Sequence, residues 1–164
     1  LEDYARCFPA WEEGRVHVES SPDYLYCRSP LRIAELLPKA RIVFLIRDPV
    51  ERAVSWYRFA AQLGHLPKGM TFEDYIRAQI GVAITPETPV HLRLLDQNRA
   101  EHYLAPFRAA FGERCLTIDF AELTRDPNGV MQRIARFGGL DPAFYLGRNL
   151  AAQNVTAEIG RAHV

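Results

Sequence analysis

The sequence predicts an α/β fold in which a parallel sheet is flanked by helices. The first observation is an unbroken apolar run at residues 42–46, rich in β-branched side chains. Such a run is typical of a strand that is covered on both faces. The second is another short apolar run at residues 115–120, separated from the first by a long region of helical periodicity. Strands that alternate with helices in this order are characteristic of βαβ units.

Helices are predicted where apolar spacing coincides with capping residues. Ser29 and Pro30 start one helix before the strand at residues 42–46. A second should cover residues 49–63 and end at Gly64, and a third should begin after Thr71, with Asp74 completing a capping box. The remaining predictions are a short strand at residues 16–19, a surface loop at 81–89, a helix at 92–111 that breaks at Pro106, and a helix at 127–137 capped by Asp126.

Length and composition favour one globular domain, residues 1–164. The hydrophobic fraction is 48% and the charged fraction is 24%, which is ordinary for such a domain. Its 20 basic and 20 acidic residues cancel, so we expect no non-specific nucleic-acid binding and only local recognition of phosphate. No apolar stretch is long enough for a membrane span, so we expect no membrane association. Residues 1–4 also lack the basic and apolar regions of a secretory signal. A cytoplasmic and bacterial setting is the expectation.

No metal site is expected, because the three cysteines and five histidines are scattered without metal-ligand spacing. The most informative position is instead the junction after residue 46, where Arg47 precedes Asp48 and Pro49. Asp48 suits an N-cap and Pro49 suits the first helical position. Free backbone N–H groups, the helix dipole and a guanidinium would together hold a phosphate there. The alternative is a solvated ion pair between Arg47 and Asp48.

Five segments, in this order, resemble sulfotransferases that use 3′-phosphoadenosine 5′-phosphosulfate (PAPS), especially the heparan-sulfate branch. The segment RIVFLIRDPVERAVSWY resembles the strand and helix that bind the 3′-phosphate of PAPS. The other four are ESSPDYLY, SPLRIAELLPKA, TFEDYI and CLTIDFAELTRDPNGVMQRIARFGGL. The resemblance covers roughly residues 1–145. It implies a P-loop-NTPase-like three-layer sandwich, with PAPS as donor, adenosine 3′,5′-bisphosphate as product and no metal.

The resemblance also implies roles for individual residues. Arg47 and Ser55 match the pair that binds the 3′-phosphate, and Asp48 and Arg52 are expected to cap and stabilise the helix. Trp56, Arg58 and His65 lie in the region that faces the acceptor. For each of these three the alternative is a solvated surface residue.

Two catalytic segments of the family have no match in residues 1–164. One is the Lys-x-Gly-Thr-Thr-like loop that holds the 5′-phosphosulfate, and the other contains the glutamate proposed as base. Ser20 also replaces the lysine of a third motif. We therefore expect the family's lysine and glutamate to lie upstream of Leu1, together with the first strand of the sheet. The alternatives are a truncated, inactive relative, or a strand and loop that another chain supplies by swapping. The catalytic residues cannot be assigned from this chain.

Three functions remain open on this basis. The first is sulfuryl transfer from PAPS to a hydroxyl or amine of a carbohydrate or small natural product. The second is a degenerate, non-catalytic domain that binds adenosine 3′,5′-bisphosphate or a protein partner. A nucleotide kinase is the weakest, since the GxxxxGK[ST] motif is absent.

Overall fold

Two parallel strands, β1 (Ile42–Ile46) and β2 (Cys115–Asp119), form the sheet. The structure is a computed structural model that describes residues 14–21, 24–26 and 29–150. The register pairs Ile42 with Cys115 and Ile46 with Asp119. Both strands therefore end at the same edge of the sheet. This confirms the predicted α/β class with a parallel sheet.

Seven helices surround the sheet in the described part of the chain. They are α1 (Pro30–Leu36), α2 (Pro49–Gln62), α3 (Phe72–Arg77), α4 (Leu94–Gln97), α5 (Ala100–Phe111), α6 (Phe120–Arg125) and α7 (Pro127–Gly138). Short 3₁₀ turns occur at Tyr24–Tyr26, Val90–Leu92, Gly112–Arg114 and Pro142–Tyr145. None of the helices in these described ranges is long and apolar enough to cross a bilayer.

An aromatic core fixes β1 to α5. The rings of Phe44 and Phe107 meet edge to face with centroids 4.9 Å apart, a favourable arrangement for aromatic pairs. Leu104 and Phe111 of α5 and Leu25 complete this cluster of buried side chains. Helix α1 packs on α5 from outside.

A second core joins α2 to α3 and α4 through Ala53, Tyr75 and Leu94. The buried amide of Gln79 connects the last two elements: its Nε2 donates to the carbonyl of Tyr75 at 3.1 Å. Its Oε1 accepts from the backbone N–H of Leu94 at 2.8 Å. A buried polar side chain is tolerated here because both ends of the amide are paired.

The prediction that β1 is covered on both faces is wrong for the described residues. Val43 and Leu45 point to the face opposite Phe44 and are 38% and 48% exposed. Ile118, the partner of Leu45 on β2, is completely buried. This face is therefore covered over β2 and open over β1. An apolar run shows that a strand is suited to burial, but it does not say what lies above it.

Several predicted elements are confirmed. Helix α2 begins after Asp48, and α3 has the capping box of Thr71 and Asp74. Helix α7 begins after the Asp126 cap and ends at Gly139, whose φ of 75° is the left-handed conformation that glycine favours. Ser29 occupies the N-cap position before α1, as expected, but its side chain makes no capping hydrogen bond.

Three other predictions need correction. Residues 16–19 do not form a strand. The predicted helix at 92–111 is divided after Asn98, whereas Pro106 stays inside α5. Pro106 is exposed, so water can reach the His102 carbonyl that loses its helical donor. Helix α6 was not predicted. It begins after Asp119, whose Oδ1 accepts from the N–H of Ala121 at 2.8 Å.

Candidate functional site

The junction between β1 and α2 is capped from within. Asp48 Oδ1 accepts from the N–H groups of Val50 and Glu51, both at 2.9 Å, and the Asp48 carbonyl accepts from Arg52 N at 2.8 Å. Pro49 has no N–H to offer. The expectation that free backbone N–H groups of this helix would hold a phosphate is therefore wrong. In the described residues, the donors left at this junction belong to side chains.

Arg47 presents its guanidinium at this junction with one edge free. Its Nε donates to Glu51 Oε2 at 3.1 Å, and its side chain is 35% exposed. Its Cζ lies 4.9 Å from the ring centroid of Phe120. The alternative, an ion pair with Asp48, is wrong, because Asp48 is engaged in capping and Arg47 pairs with Glu51 instead. The two terminal nitrogens of Arg47 make no hydrogen bond within the described ranges.

Ser55 lies on the same side of α2 as Glu51. Residues four apart on a helix are neighbours, separated by about 6 Å along the axis. Glu51 therefore stands between Arg47 and Ser55. The Ser55 side chain is half-buried, and its hydroxyl makes no hydrogen bond to another side chain in the described part of the chain. Helix periodicity thus places Ser55 on the flank of α2 that carries Glu51, the partner of Arg47.

Arg52 ties α2 to its surroundings. Its guanidinium donates to Asn98 Oδ1 at 2.7 Å, to Gln97 Oε1 at 3.0 Å and to the Tyr26 hydroxyl at 3.0 Å. Asn98 Nδ2 in turn donates to the carbonyl of Pro49 at 2.9 Å. The first turns of α2 are thereby held by α4 and by the Tyr24–Tyr26 turn. The expected stabilising role of Arg52 agrees with these contacts.

A small apolar pocket of about 160 Å³ opens beside the later turns of α2. Its lining residues are Trp56, Phe59, Ala60, Leu63, His65, Val90 and His91. Two of the three residues expected to face the acceptor, Trp56 and His65, meet here. Arg58, the third, is exposed and does not line the pocket.

Two histidines stack at this pocket. The rings of His65 and His91 are nearly parallel, with centroids 5.4 Å apart. Burial lowers the pKa of His91, and repulsion from His65 lowers it further. The hydroxyl of Tyr75 donates to the carbonyl of His91 and fixes its backbone. The pocket is therefore lined by an uncharged His91 at neutral pH.

Sequence reasoning missed most partners of these residues. Glu51 was detectable, because a carboxylate four residues after Arg47 is a common ion-pair spacing. The contact between Phe120 and Arg47 could have been predicted from the strand register, once both strands were placed. Nothing local marked Gln97 or His91, whose roles depend on tertiary packing. In residues 14–21, 24–26 and 29–150, no group of three or more His, Cys, Asp or Glu is arranged to hold a metal ion.

The fold and this junction together define an α/β protein with a candidate site, built from side chains, at the carboxyl edge of a parallel sheet. Comparison with known structures agrees on the fold. A sulfotransferase from Alicyclobacillus acidocaldarius superposes with a TM-score of 0.74 at 24% identity, covering 86% of this chain and 57% of that chain.

The family is shown by the sequence. The model of the sulfotransferase family matches residues 4–143, and the chain belongs to this family. This confirms the resemblance proposed from the motifs. The chain is 32% identical over 149 residues to bifunctional heparan sulfate N-deacetylase/N-sulfotransferase 1 of Xenopus laevis, covering 82% of this chain and 16% of that protein.

A second kind of relative is heparan sulfate glucosamine 3-O-sulfotransferase 3B1 of Homo sapiens. It is 27% identical over 153 residues, covering 88% of this chain and 38% of that protein. The chain therefore spans well under half the length of these two curated relatives.

Replacing Arg52 should destabilise the fold. In Arg52→Met, the side-chain acceptors of Gln97 and Asn98 lose their charged donor, and we expect a loss of about 2–4 kcal/mol in the free energy of unfolding. Urea denaturation followed by circular dichroism measures this. The matched control is Arg58→Met on the same helix, where an exposed side chain should change stability by less than about 0.5 kcal/mol. Equal losses in both variants would contradict the network.

The stacked histidines should make stability depend on pH. Because folding lowers the pKa of His91, the folded state favours the uncharged imidazole. The resulting contribution to the free energy of unfolding is fully present above about pH 6.5 and is lost as the pH falls through the folded-state pKa. Unfolding experiments between pH 5 and 8 should show this loss, and His91→Gln should reduce it. In an NMR titration, His91 should titrate below the ordinary histidine range, and less so in His65→Gln. An ordinary His91 titration would refute the account.

Proposed function

We propose that this chain is the nucleotide-anchoring part of a PAPS-dependent sulfotransferase, which transfers a sulfuryl group to a hydroxyl or amine acceptor. Membership of the sulfotransferase family supports sulfuryl transfer as the reaction class. The names of the relatives, which are heparan sulfate sulfotransferases, support a carbohydrate or a small natural product as acceptor.

The observation that carries the proposal is the free edge of Arg47. A 3′-phosphate is a phosphomonoester with a charge near −2, and its oxygens match the planar fork of a guanidinium. Glu51 occupies Nε, so the terminal nitrogens remain for such a contact. The hydroxyl of Ser55 would add a neutral donor from the same flank of α2. The donor set therefore fits a phosphate, and both residues are proposed to bind it.

The transfer itself needs groups beyond this anchor. PAPS supplies an activated sulfuryl group, and its displacement requires an acceptor that gives up a proton and a donor that stabilises the departing phosphate. The family's lysine and glutamate for these tasks have no match within residues 1–164. What this chain's own residues do is bind the far end of the nucleotide and hold α2 in place through Arg52.

The acceptor is proposed to bind near the small apolar pocket, whose lining includes Trp56, the residue after Ser55. Trp56 offers an aromatic face of the kind that packs against sugar rings, and His65 stands at the same pocket. Arg58 is exposed beside it and would meet an anionic group of an acceptor from outside the pocket. These three roles are part of the proposal.

A second candidate is a domain that binds adenosine 3′,5′-bisphosphate or a partner without turnover. The two candidates share the anchor and differ only in catalysis. Incubation of the full-length protein that contains this chain with ³⁵S-labelled PAPS and a panel of hydroxyl and amine acceptors separates them, because labelled product appears only with a sulfotransferase.

Removing the guanidinium of Arg47 should weaken nucleotide binding. Arg47→Ala should weaken binding of adenosine 3′,5′-bisphosphate by about 10- to 100-fold in calorimetry, the loss expected for charge-assisted hydrogen bonds. Arg41→Ala is the matched control: it removes an exposed arginine just before the other end of β1 and should leave the affinity unchanged. Wild-type affinity in Arg47→Ala would overturn the proposed function.

A further inference from the structure

Phe120 reaches Arg47 because of the sheet register. Ile46 and Asp119 are the last paired residues of β1 and β2, so the residues that follow them, Arg47 and Phe120, emerge side by side. The Arg47 Cζ lies 4.9 Å from the Phe120 ring centroid, which is within the range of a cation–π contact. The Phe120 side chain is only partly exposed.

The guanidinium of Arg47 therefore has two neighbours. Its Cζ lies over the Phe120 ring, and its Nε donates to Glu51 Oε2. The edge with the two terminal nitrogens remains open. An arginine normally loses much rotamer freedom when it binds a ligand, and a side chain held in advance loses less.

From this geometry we infer that Phe120 is a positioning residue that orients the free edge of Arg47 for a phosphate. Its ring holds the guanidinium plane, while Glu51 fixes the rotation of that plane. Phe120 itself does not contact the anion. The identity of the anion as a nucleotide 3′-phosphate rests on the proposed function, whereas the positioning rests on the geometry alone.

The test compares two nucleotides that differ by the 3′-phosphate. The dissociation constants of adenosine 3′,5′-bisphosphate and of adenosine 5′-monophosphate are measured by calorimetry, and their ratio isolates the 3′-phosphate contribution. Phe120→Leu should reduce the preference for the bisphosphate by about two- to fivefold, the size of an exposed cation–π contact. A general weakening of the fold would affect both nucleotides and leave the ratio unchanged.

Matched variants make the result specific. Phe120→Tyr retains the ring and should restore the ratio. Phe137→Leu removes the ring that lies 6.0 Å from the Arg41 Cζ, near the other end of β1, and should not change it. If Phe120→Leu does not fold, Phe120→Met provides the same loss of the ring with a flexible side chain.

A second measurement does not need nucleotide. The ¹⁵N relaxation of Arg47 Nε in the free protein should show a restricted side chain in wild type and a mobile one in Phe120→Leu. Unchanged mobility, or increased mobility with an unchanged nucleotide ratio, would overturn the inference. If wild type itself shows no preference for the bisphosphate, the proposed function fails, and the relaxation result alone decides whether Phe120 positions Arg47.

Discussion

The parallel pairing of β1 with β2 is the interaction on which the candidate site depends. Five residue pairs set the register, and that register places Arg47 beside Phe120 at the carboxyl edge of the sheet. The Phe44–Phe107 contact supports the pairing from one face by fixing β1 to α5. A shift of one residue would turn the strand's side chains to the other face and separate the arginine from its ring.

Most charged side chains at this junction already have a partner. Asp48 caps α2, Glu51 binds one edge of Arg47, and Arg52 is used in contacts with neutral partners. Among the residues that the structure describes, only the outer edge of Arg47 and the Ser55 hydroxyl remain available on this flank. The site therefore differs from the anion sites formed by free N–H groups at helix N-termini. In the proposed site, phosphate binding depends on how one guanidinium is oriented, and the neighbours of Arg47 would set that orientation.

The sequence allowed the strands, most helices and the position of Arg47 to be predicted, because each has a local signal. The apolar run, the Asp48–Pro49 start and the Thr71–Asp74 box depend on residues within a few positions of each other. The failures concern long-range packing. Nothing near Leu45 indicates that its face is open, and nothing near Asn98 indicates that its amide contacts Pro49. The capping by Asp48 was expected. That its Oδ1 takes up the N–H groups of both Val50 and Glu51 is a detail of geometry that the sequence does not show.

The central claim is that the free edge of Arg47 binds the 3′-phosphate of a PAPS-type nucleotide. A crystal structure of the chain with adenosine 3′,5′-bisphosphate tests it most directly. The account predicts 3′-phosphate oxygens about 2.7–3.1 Å from the terminal nitrogens of Arg47, with the Ser55 hydroxyl as a further donor. The Phe120 ring should still lie against the guanidinium. A nucleotide bound with its 3′-phosphate away from Arg47 would contradict the account.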